Sequence, residues 1–168
     1  IELLAEPDPV DSVTHRRADL GLAILRIPPK RLEGLELATL TQAQYGAKNR
    51  RHDRGIGWGH EMDHAIPAQW TSSNLSGPDA EAAGQPSFNN WPQLKEAVLA
   101  GLGTASLWCF AASQDDRLEQ LSPADPRHSY PLWMLRRATF APSPALSTLM
   151  DFLQNRLTER LHAINLLK

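Results

Sequence analysis

The chain has little of three features that would assign its class at once: cysteine, long apolar runs and net charge. A single cysteine, Cys109, excludes an intramolecular disulfide and any site built from several thiolates. Its apolar neighbours predict a buried core thiol. The longest weakly charged stretch, residues 96–115, is broken by glycine, serine and threonine, so we expect no membrane-spanning helix. A net charge of −2 argues against a strongly basic protein that coats nucleic acid.

What is present is an ordinary globular composition with an uneven charge distribution. The 168 residues are 42% hydrophobic and 21% charged, which fits one domain with a real core. Residues 12–60 hold nine Lys or Arg against four acids, whereas residues 61–168 hold eight against eleven. No signal peptide is visible. The basic part therefore leads into the most unusual motif of the chain.

Hydrophobic periodicity predicts a mostly helical α+β protein. Helices are expected at residues 11–26, 30–45, 92–102 and 144–167. The last of these carries a continuous amphipathic stripe of leucines. Three glycines within residues 55–59 predict a turn or a short strand, and the proline-rich residues 118–144 are expected to be irregular.

Four side chains that can bind metals or transfer protons fall within five positions: His60, Glu61, Asp63 and His64. Such a density predicts a functional site. One interpretation is the His-Glu-x-x-His motif, which on a helix places both imidazoles on one zinc ion and lets the glutamate activate water. The glycines before the motif and Pro67 after it leave little room for that helix.

The other interpretation places Asp63 and His64 at the end of a β-strand, where a turn at Ile66-Pro67 brings both side chains into one site. Asp63 would hold a divalent cation that stabilises charge on a phosphate. His64 would take a proton from the attacking water, because imidazoles titrate near neutral pH. This arrangement predicts hydrolysis of a phosphodiester bond.

Two stretches of the chain resemble one family. Glu61-Met-Asp63-His64-Ala-Ile-Pro67 is similar to the Glu-x-Asp-His-x-[Ile/Val]-Pro core of the HNH, or His-Me finger (ββα-metal), nucleases. Asn89-Asn90-Trp91-Pro92-Gln93 matches, at four of five positions, the Asn-Leu-Trp-Pro-Gln that opens the finger helix in many bacterial members. The resemblance covers residues 55–102 and implies a β-hairpin followed by a helix.

The resemblance also implies roles for individual residues. Asp63 would be a metal ligand, His64 the general base, and Asn89 a further ligand or the residue that orients His64. His60 is an additional candidate ligand, since no histidine follows Asn89 where some members place one. The metal is expected to be Mg²⁺, with Zn²⁺, Mn²⁺ or Ni²⁺ as alternatives. Asn90 and the proline after Trp91 also fit an ordinary helix start.

A basic cluster just upstream is the predicted nucleic-acid contact: Lys48, Arg50, Arg51 and Arg54. Contacts between Lys or Arg side chains and the phosphates supply most of the sequence-independent affinity of a protein for DNA. The alternative is a solvated charged loop.

The sequence therefore predicts one nuclease-like domain over residues 1–168, with the finger set between helical flanks at 11–46 and 143–168. Its expected function is metal-dependent cleavage of DNA with little sequence specificity, RNA being the other candidate substrate. The family implies an antibacterial toxin domain as one setting. An acidic cognate immunity protein would then be a partner, with secretion or delivery into a target cell as part of a larger protein.

Two other function classes stay open from the sequence. One is a zinc metallopeptidase that uses His60, Glu61 and His64. The other is a non-enzymatic helical interaction domain built around the C-terminal helix, although core packing explains that helix more simply.

Overall fold

The structure is a computed structural model that describes residues 1–6, 8–59, 86–124, 126, 129–138 and 141–166. Its elements are α1 (Pro9–Thr14), β1 (Leu20–Ile24), β2 (Leu32–Ala47), β3 (Gly57–Trp58), β4 (Ser87–Phe88), α2 (Trp91–Leu99), β5 (Ala105–Trp108), α3 (Cys109–Ala112), β6 (Leu118–Gln120), β7 (Ser129–Arg137) and α4 (Pro144–Leu166). The chain divides into two compact units, Ile1–Leu40 with Tyr130–Lys168, and Thr41–Ser129. The expectation of a single domain stays a prediction.

The mostly helical fold class is wrong, because the fold is α/β and strands occupy much of the predicted helical flank at 11–46. The flank contains β1 and the 16-residue strand β2. Gly34 and Gly46 disfavour a helix there, and the β-branched Thr39 and Thr41 favour a strand. A helix over residues 30–45 would place Leu32, Leu35 and Leu40 on one stripe, but Leu35 is exposed while the other two are buried.

In the first unit, α1 is only one and a half turns long, and a strand follows where the helix was expected to continue. The carboxylate of Asp8 caps α1 by accepting a hydrogen bond from the amide of Asp11 at 2.9 Å. β1 then pairs antiparallel with β7, with Gly21 opposite Leu135. A Cβ on Gly21 would lie 2.8 Å from Val13 Cγ2, so the absence of a side chain lets α1 pack close to β1.

The first unit is completed by β7 and α4. β7 lies between β1 and β2 in the sheet, in a stretch that was expected to be irregular. A small core joins Val13, Ala23, Leu32 and Leu135. The C-terminal helix is observed at Pro144–Leu166, close to its predicted bounds, and Leu161 is buried.

In the second unit, β2 pairs antiparallel with both β5 and β6. The core of this unit contains Tyr45, Ile56, Leu94, Val98, Leu107 and Cys109. The buried position of Cys109 confirms the predicted core thiol. Burial raises the pKa of the Tyr45 hydroxyl, and the adjacent Cys109 thiol adds to this effect. Tyr45 therefore stays neutral and donates a hydrogen bond to Gln120 Oε1 at 3.2 Å.

An ion-pair group supports one side of the second unit. Asp115 accepts two hydrogen bonds from the Arg117 guanidinium, at 2.9 and 2.8 Å, and lies 2.8 Å from Lys95 Nζ on α2. The hydrogen bonds from Arg117 and Lys95 hold the pKa of the Asp115 carboxyl below its ordinary value of 3.8. The ionised carboxylate therefore favours the folded state.

We expect Asp115→Asn to lower the free energy of unfolding by about 1–2 kcal/mol at neutral pH. Because the pKa of Asp115 is lowered on folding, its contribution is complete above the ordinary value and is lost as the pH falls below it. Urea unfolding between pH 7 and pH 3 measures this, with the exposed Asp116→Asn as the control. Equal losses for the two variants at every pH would contradict the assigned role.

Candidate functional site

The carboxyl ends of two parallel strands meet in the second unit. Gly57 pairs with Ser87 and Trp58 with Phe88, and the amide of Gly59 donates to the carbonyl of Phe88 at 3.0 Å. Since the strands are parallel, both chains leave the pair at the same end. Ligands of α/β proteins bind preferentially at the carboxyl ends of parallel strands. This end of the β3–β4 pair is therefore the candidate site.

The start of α2 lies at the same end, because only two residues separate it from β4. Asn90 is the N-cap, and its side-chain oxygen accepts a hydrogen bond from the amide of Gln93 at 2.9 Å. Pro92 occupies the first turn, where a missing N–H is tolerated. The helix start predicted from Asn90-Trp91-Pro92 is thus confirmed. Asn89, which precedes the cap, is exposed.

Asn90→Ala should lower the free energy of unfolding by about 1 kcal/mol, because it removes the cap of α2. Asn89→Ala should leave stability nearly unchanged, since its exposed side chain accepts, within the described part of the chain, one long hydrogen bond from Asn90 Nδ2 at 3.5 Å. Thermal unfolding of the two variants measures the difference. If Asn89→Ala were the more destabilising of the two, the assignment of the cap would be wrong.

A buried donor without an acceptor lies on β3. The indole Nε1 of Trp58 is inaccessible to solvent and has no hydrogen-bond partner among the described residues. Buried polar atoms are nearly always paired, so such a donor needs an explanation. Its ring packs against the core of the second unit, which fixes the indole in place. This donor therefore stands unpaired among the described residues.

The predicted metal and catalytic residues His60, Glu61, Asp63 and His64 lie outside the described residues, so their roles stay predictions. Asn89 is described, at the exposed end of β4. No group of three His, Cys, Asp or Glu side chains in the described ranges is placed to hold a metal ion. The expected divalent metal likewise stays a prediction.

The basic cluster forms an exposed segment between β2 and β3. Backbone hydrogen bonds anchor it, since the amide of Lys48 donates to the carbonyl of Arg117 and the amide of Thr104 donates to that of Arg54. Arg50 has a structural contact: its Cδ lies 3.3 Å from the point where a Cβ on Gly101 would stand. Gly101 follows α2, so this cation lies at the negative end of the helix dipole. Nucleic-acid binding by the cluster stays a prediction.

The described part of the candidate site suits binding of a small polar molecule. It offers the carboxamide of Asn89 and the amino end of α2, whose first turn contains no acidic residue, close in sequence pairing to the buried indole of Trp58. The sequence did not indicate a role for Trp58, because nothing in the sequence shows that its indole N–H lacks a partner. The Asn-Asn-Trp-Pro stretch did indicate the helix start beside it.

A comparison with protein families matches residues 1–158 to the family described as the LysR substrate binding domain. No curated protein sequence matches the chain. Among solved structures, the regulatory domain of CrgA, a LysR-type transcriptional regulator from Neisseria meningitidis, has a TM-score of 0.66 at 16% identity. That match covers 87% of this chain and 78% of the chain of the CrgA regulatory domain.

Two further structures show the same fold. The effector domain of the transcriptional regulator AmpR of Pseudomonas aeruginosa gives a TM-score of 0.65 at 14% identity, over 93% of this chain and 78% of that one. Full-length HypT from Salmonella typhimurium, a hypochlorite-specific LysR-type transcriptional regulator, gives 0.57 at 17% identity, over 88% of this chain. The match spans 55% of full-length HypT.

These comparisons overturn the function predicted from the sequence. The nuclease resemblance covered residues 55–102, whereas the family match extends over 158 residues and includes both flanks. The nuclease finger also requires an antiparallel hairpin. The strands β3 and β4, which flank the His60–Pro67 motif in the sequence, instead pair in parallel. The HNH nuclease, the DNase activity, the toxin setting with its immunity protein, and the zinc metallopeptidase are therefore wrong.

Among the described residues, no helix is both long and apolar enough to cross a membrane.

Proposed function

Because the chain belongs to the LysR substrate-binding domain family, we propose that residues 1–168 form the ligand-sensing part of a transcriptional regulator. The family match over residues 1–158 is the observation that carries this proposal. In this proposal the full regulator binds DNA, and the present chain binds a small molecule that controls it.

The candidate ligand site is the carboxyl end of the β3–β4 pair together with the start of α2. The indole N–H of Trp58 is buried and has no acceptor among the described residues, so a ligand that displaces the groups covering it would pair its own acceptor with this N–H. It would also contact the exposed carboxamide of Asn89. Binding sites of this kind combine apolar walls with a few fixed polar groups, and Trp58 and Phe88 supply the apolar surface.

A small molecule controls a regulator only if it binds one conformation more tightly than another. A coupling of about 1–3 kcal/mol between two sites changes affinity about 5–150-fold. In this proposal the regulator has two conformations that differ in their effect on transcription. The ligand binds one of these conformations more tightly than the other.

Thermal unfolding of the purified chain with a panel of organic acids, amino acids and neutral metabolites tests the proposal. One chemical class should raise the melting temperature, because a ligand at about 100 times its dissociation constant adds about 2.7 kcal/mol to the free energy of unfolding. A panel without any stabilising compound, together with Mg²⁺-dependent cleavage of plasmid DNA, would contradict it.

Trp58→Phe locates the ligand within the chain. The variant keeps a ring but loses the N–H, so the dissociation constant of the stabilising compound should rise about fivefold or more. Loss of the N–H itself should cost the free protein little, whereas the smaller ring reduces packing against the core, so the dissociation constant rather than the melting temperature is the readout. Trp133→Phe is the matched control, since the indole of Trp133 already donates to the carbonyl of Leu25 at 2.9 Å. Equal effects of both variants on the dissociation constant would place the ligand elsewhere.

A further inference from the structure

The basic cluster concentrates positive charge on one short segment of the second unit. Residues 48–54 contain its four cations and one acid, Asp53, so their formal charge is +3 with His52 neutral. All four cations are exposed. Charges farther apart than about 8 Å are largely screened at physiological salt. A partner at this surface therefore meets the local positive charge rather than the net charge of −2 of the whole chain.

Acidic side chains of the described residues do not neutralise the basic cluster. Arginines elsewhere in the chain pair with carboxylates, as Arg137 does with Asp19 at 2.8 Å. No described carboxylate lies within ion-pair distance of the four cations of the cluster. The acid beside the segment, Glu119, instead lies 3.4 Å from Nε2 of His52. Within the described part of the chain, the positive charge of the cluster is therefore uncompensated.

The backbone of the segment is held in its middle as well as at its two ends. The amide of Arg50 donates to the carbonyl of Ala47 at 3.3 Å, and Nε2 of His52 lies 3.0 Å from the same oxygen. The His52 ring packs so closely on β2 that a Cβ on Gly46 would lie 2.6 Å from it. A fixed backbone reduces the conformational entropy that is lost when its side chains bind a partner.

The composition of the segment favours phosphate groups over a protein surface as its partner. Three of the four cations are arginines, whose planar guanidinium groups bind phosphate through two parallel hydrogen bonds. Residues 48–54 contain no aliphatic side chain and no Phe, Tyr or Trp, whereas protein interfaces depend on such anchors at their centre. A contact made by charge alone is strongest with a densely charged polymer, and duplex DNA carries one negative charge per about 1.7 Å of its axis.

We propose that the basic cluster contacts the phosphate backbone of duplex DNA, outside the sequence that the DNA-binding part of the regulator reads. Contacts to phosphates position a protein on DNA without reading its sequence, so this surface adds affinity but no specificity. The rest of the regulator holds the DNA near this segment, and in that respect the inference rests on the proposed function. Ligand binding at the β3–β4 pair is not required for the contact.

Binding of the purified chain to a short fluorescent duplex of arbitrary sequence tests the proposal. Fluorescence anisotropy at physiological salt should give a dissociation constant of about 10⁻⁴–10⁻⁶ M, the usual range for contacts to phosphates alone. The triple variant Arg50→Gln, Arg51→Gln and Arg54→Gln should bind at least about tenfold more weakly. The slope of log affinity against log salt concentration should fall in magnitude by about 0.9 for each phosphate contact that is lost.

Two further variants separate a lost contact from other effects of the substitutions. The double variant Arg51→Gln and Arg54→Gln leaves the packing of the third arginine unchanged and should still lower the slope, even if the triple variant is less stable. The matched control is Lys30→Gln, Arg31→Gln and Arg160→Gln, which removes the same charge from exposed positions of the first unit. The control should bind the duplex as the wild type does.

Three outcomes would overturn the proposal. The triple variant could bind the duplex as tightly as the wild type, or the matched control could lose as much affinity as the triple variant. Tighter binding of poly-glutamate than of the duplex, lost in the triple variant, would assign the cluster to an acidic protein. Failure of the proposed function is seen instead as the absence of any stabilising ligand, so the two failures are distinguishable.

Discussion

Gly103→Ala is expected to lower the free energy of unfolding by about 3 kcal/mol. A Cβ at this position would lie 2.5 Å from the carbonyl oxygen of Arg54, a backbone atom that cannot rotate away. The same oxygen accepts the amide of Thr104 at 2.8 Å, so moving it would break a hydrogen bond between the two segments. Steric overlap in a packed interior typically costs about 1–3 kcal/mol, and the loss of that bond adds to it.

Gly57→Ala is the matched control for this prediction. Apart from its chain neighbours, no atom of the described residues lies within 4 Å of a Cβ on Gly57, although both glycines belong to the same unit. Its effect on stability should therefore be within about 0.5 kcal/mol. Urea unfolding of the two variants measures the difference. A similar loss of stability in both variants would mean that the close approach of the Arg54 carbonyl does not require a glycine at position 103.

Arg137→Met is expected to lower the free energy of unfolding by about 3 kcal/mol. The guanidinium of Arg137 donates to the carbonyls of Val13 and Ala18, at 2.9 and 2.8 Å, and to the carboxylate of Asp19 at 2.8 Å. It thereby joins β7 to α1 and to the segment between α1 and β1. Each hydrogen bond from a charged group contributes about 1.5–3 kcal/mol, and methionine keeps the aliphatic volume while removing all three.

Asp19→Ala separates the carbonyl contacts of Arg137 from its ion pair. The Asp19 side chain is 79% exposed, so this pair should contribute less than about 1 kcal/mol. Guanidinium unfolding should show a large loss for Arg137→Met and a small one for Asp19→Ala. Comparable losses would assign the stabilisation to the ion pair instead.

The sequence predicted those elements whose pattern is local. The helix α4 has apolar residues at three- and four-residue spacing over its full length, and α2 has a capping asparagine followed by proline. Both were predicted near their observed bounds. Each of these signals is complete within one segment of the chain.

The strands were missed because their stabilising contacts are distant in sequence. β1 pairs with β7 across more than a hundred residues, and the buried Gln42 accepts a hydrogen bond from Ser106 Oγ at 2.7 Å. Neither contact has a local pattern, and the leucines of β2 also fit a helical stripe. Tertiary pairing therefore overrode the apparent helical period.

The function was mispredicted because a short motif outweighed the rest of the chain. The cluster between His60 and His64 has the residue types of a metal site, and a second stretch near Asn89 matched the same nuclease family. That second stretch is also a common helix start, which is the role Asn90 has in the structure. Short motifs require the right structural context, and here the parallel pairing of β3 and β4 does not provide the hairpin.

The most direct test of the proposed regulatory role is the transcriptional response of the full protein to the compound that stabilises this chain. We would measure expression from its promoter against compound concentration, in wild type and in Trp58→Phe. The account predicts a several-fold change in expression, with Trp58→Phe requiring about fivefold or more compound for the half-maximal response. A response that persists unchanged after deletion of residues 1–168 would contradict the account.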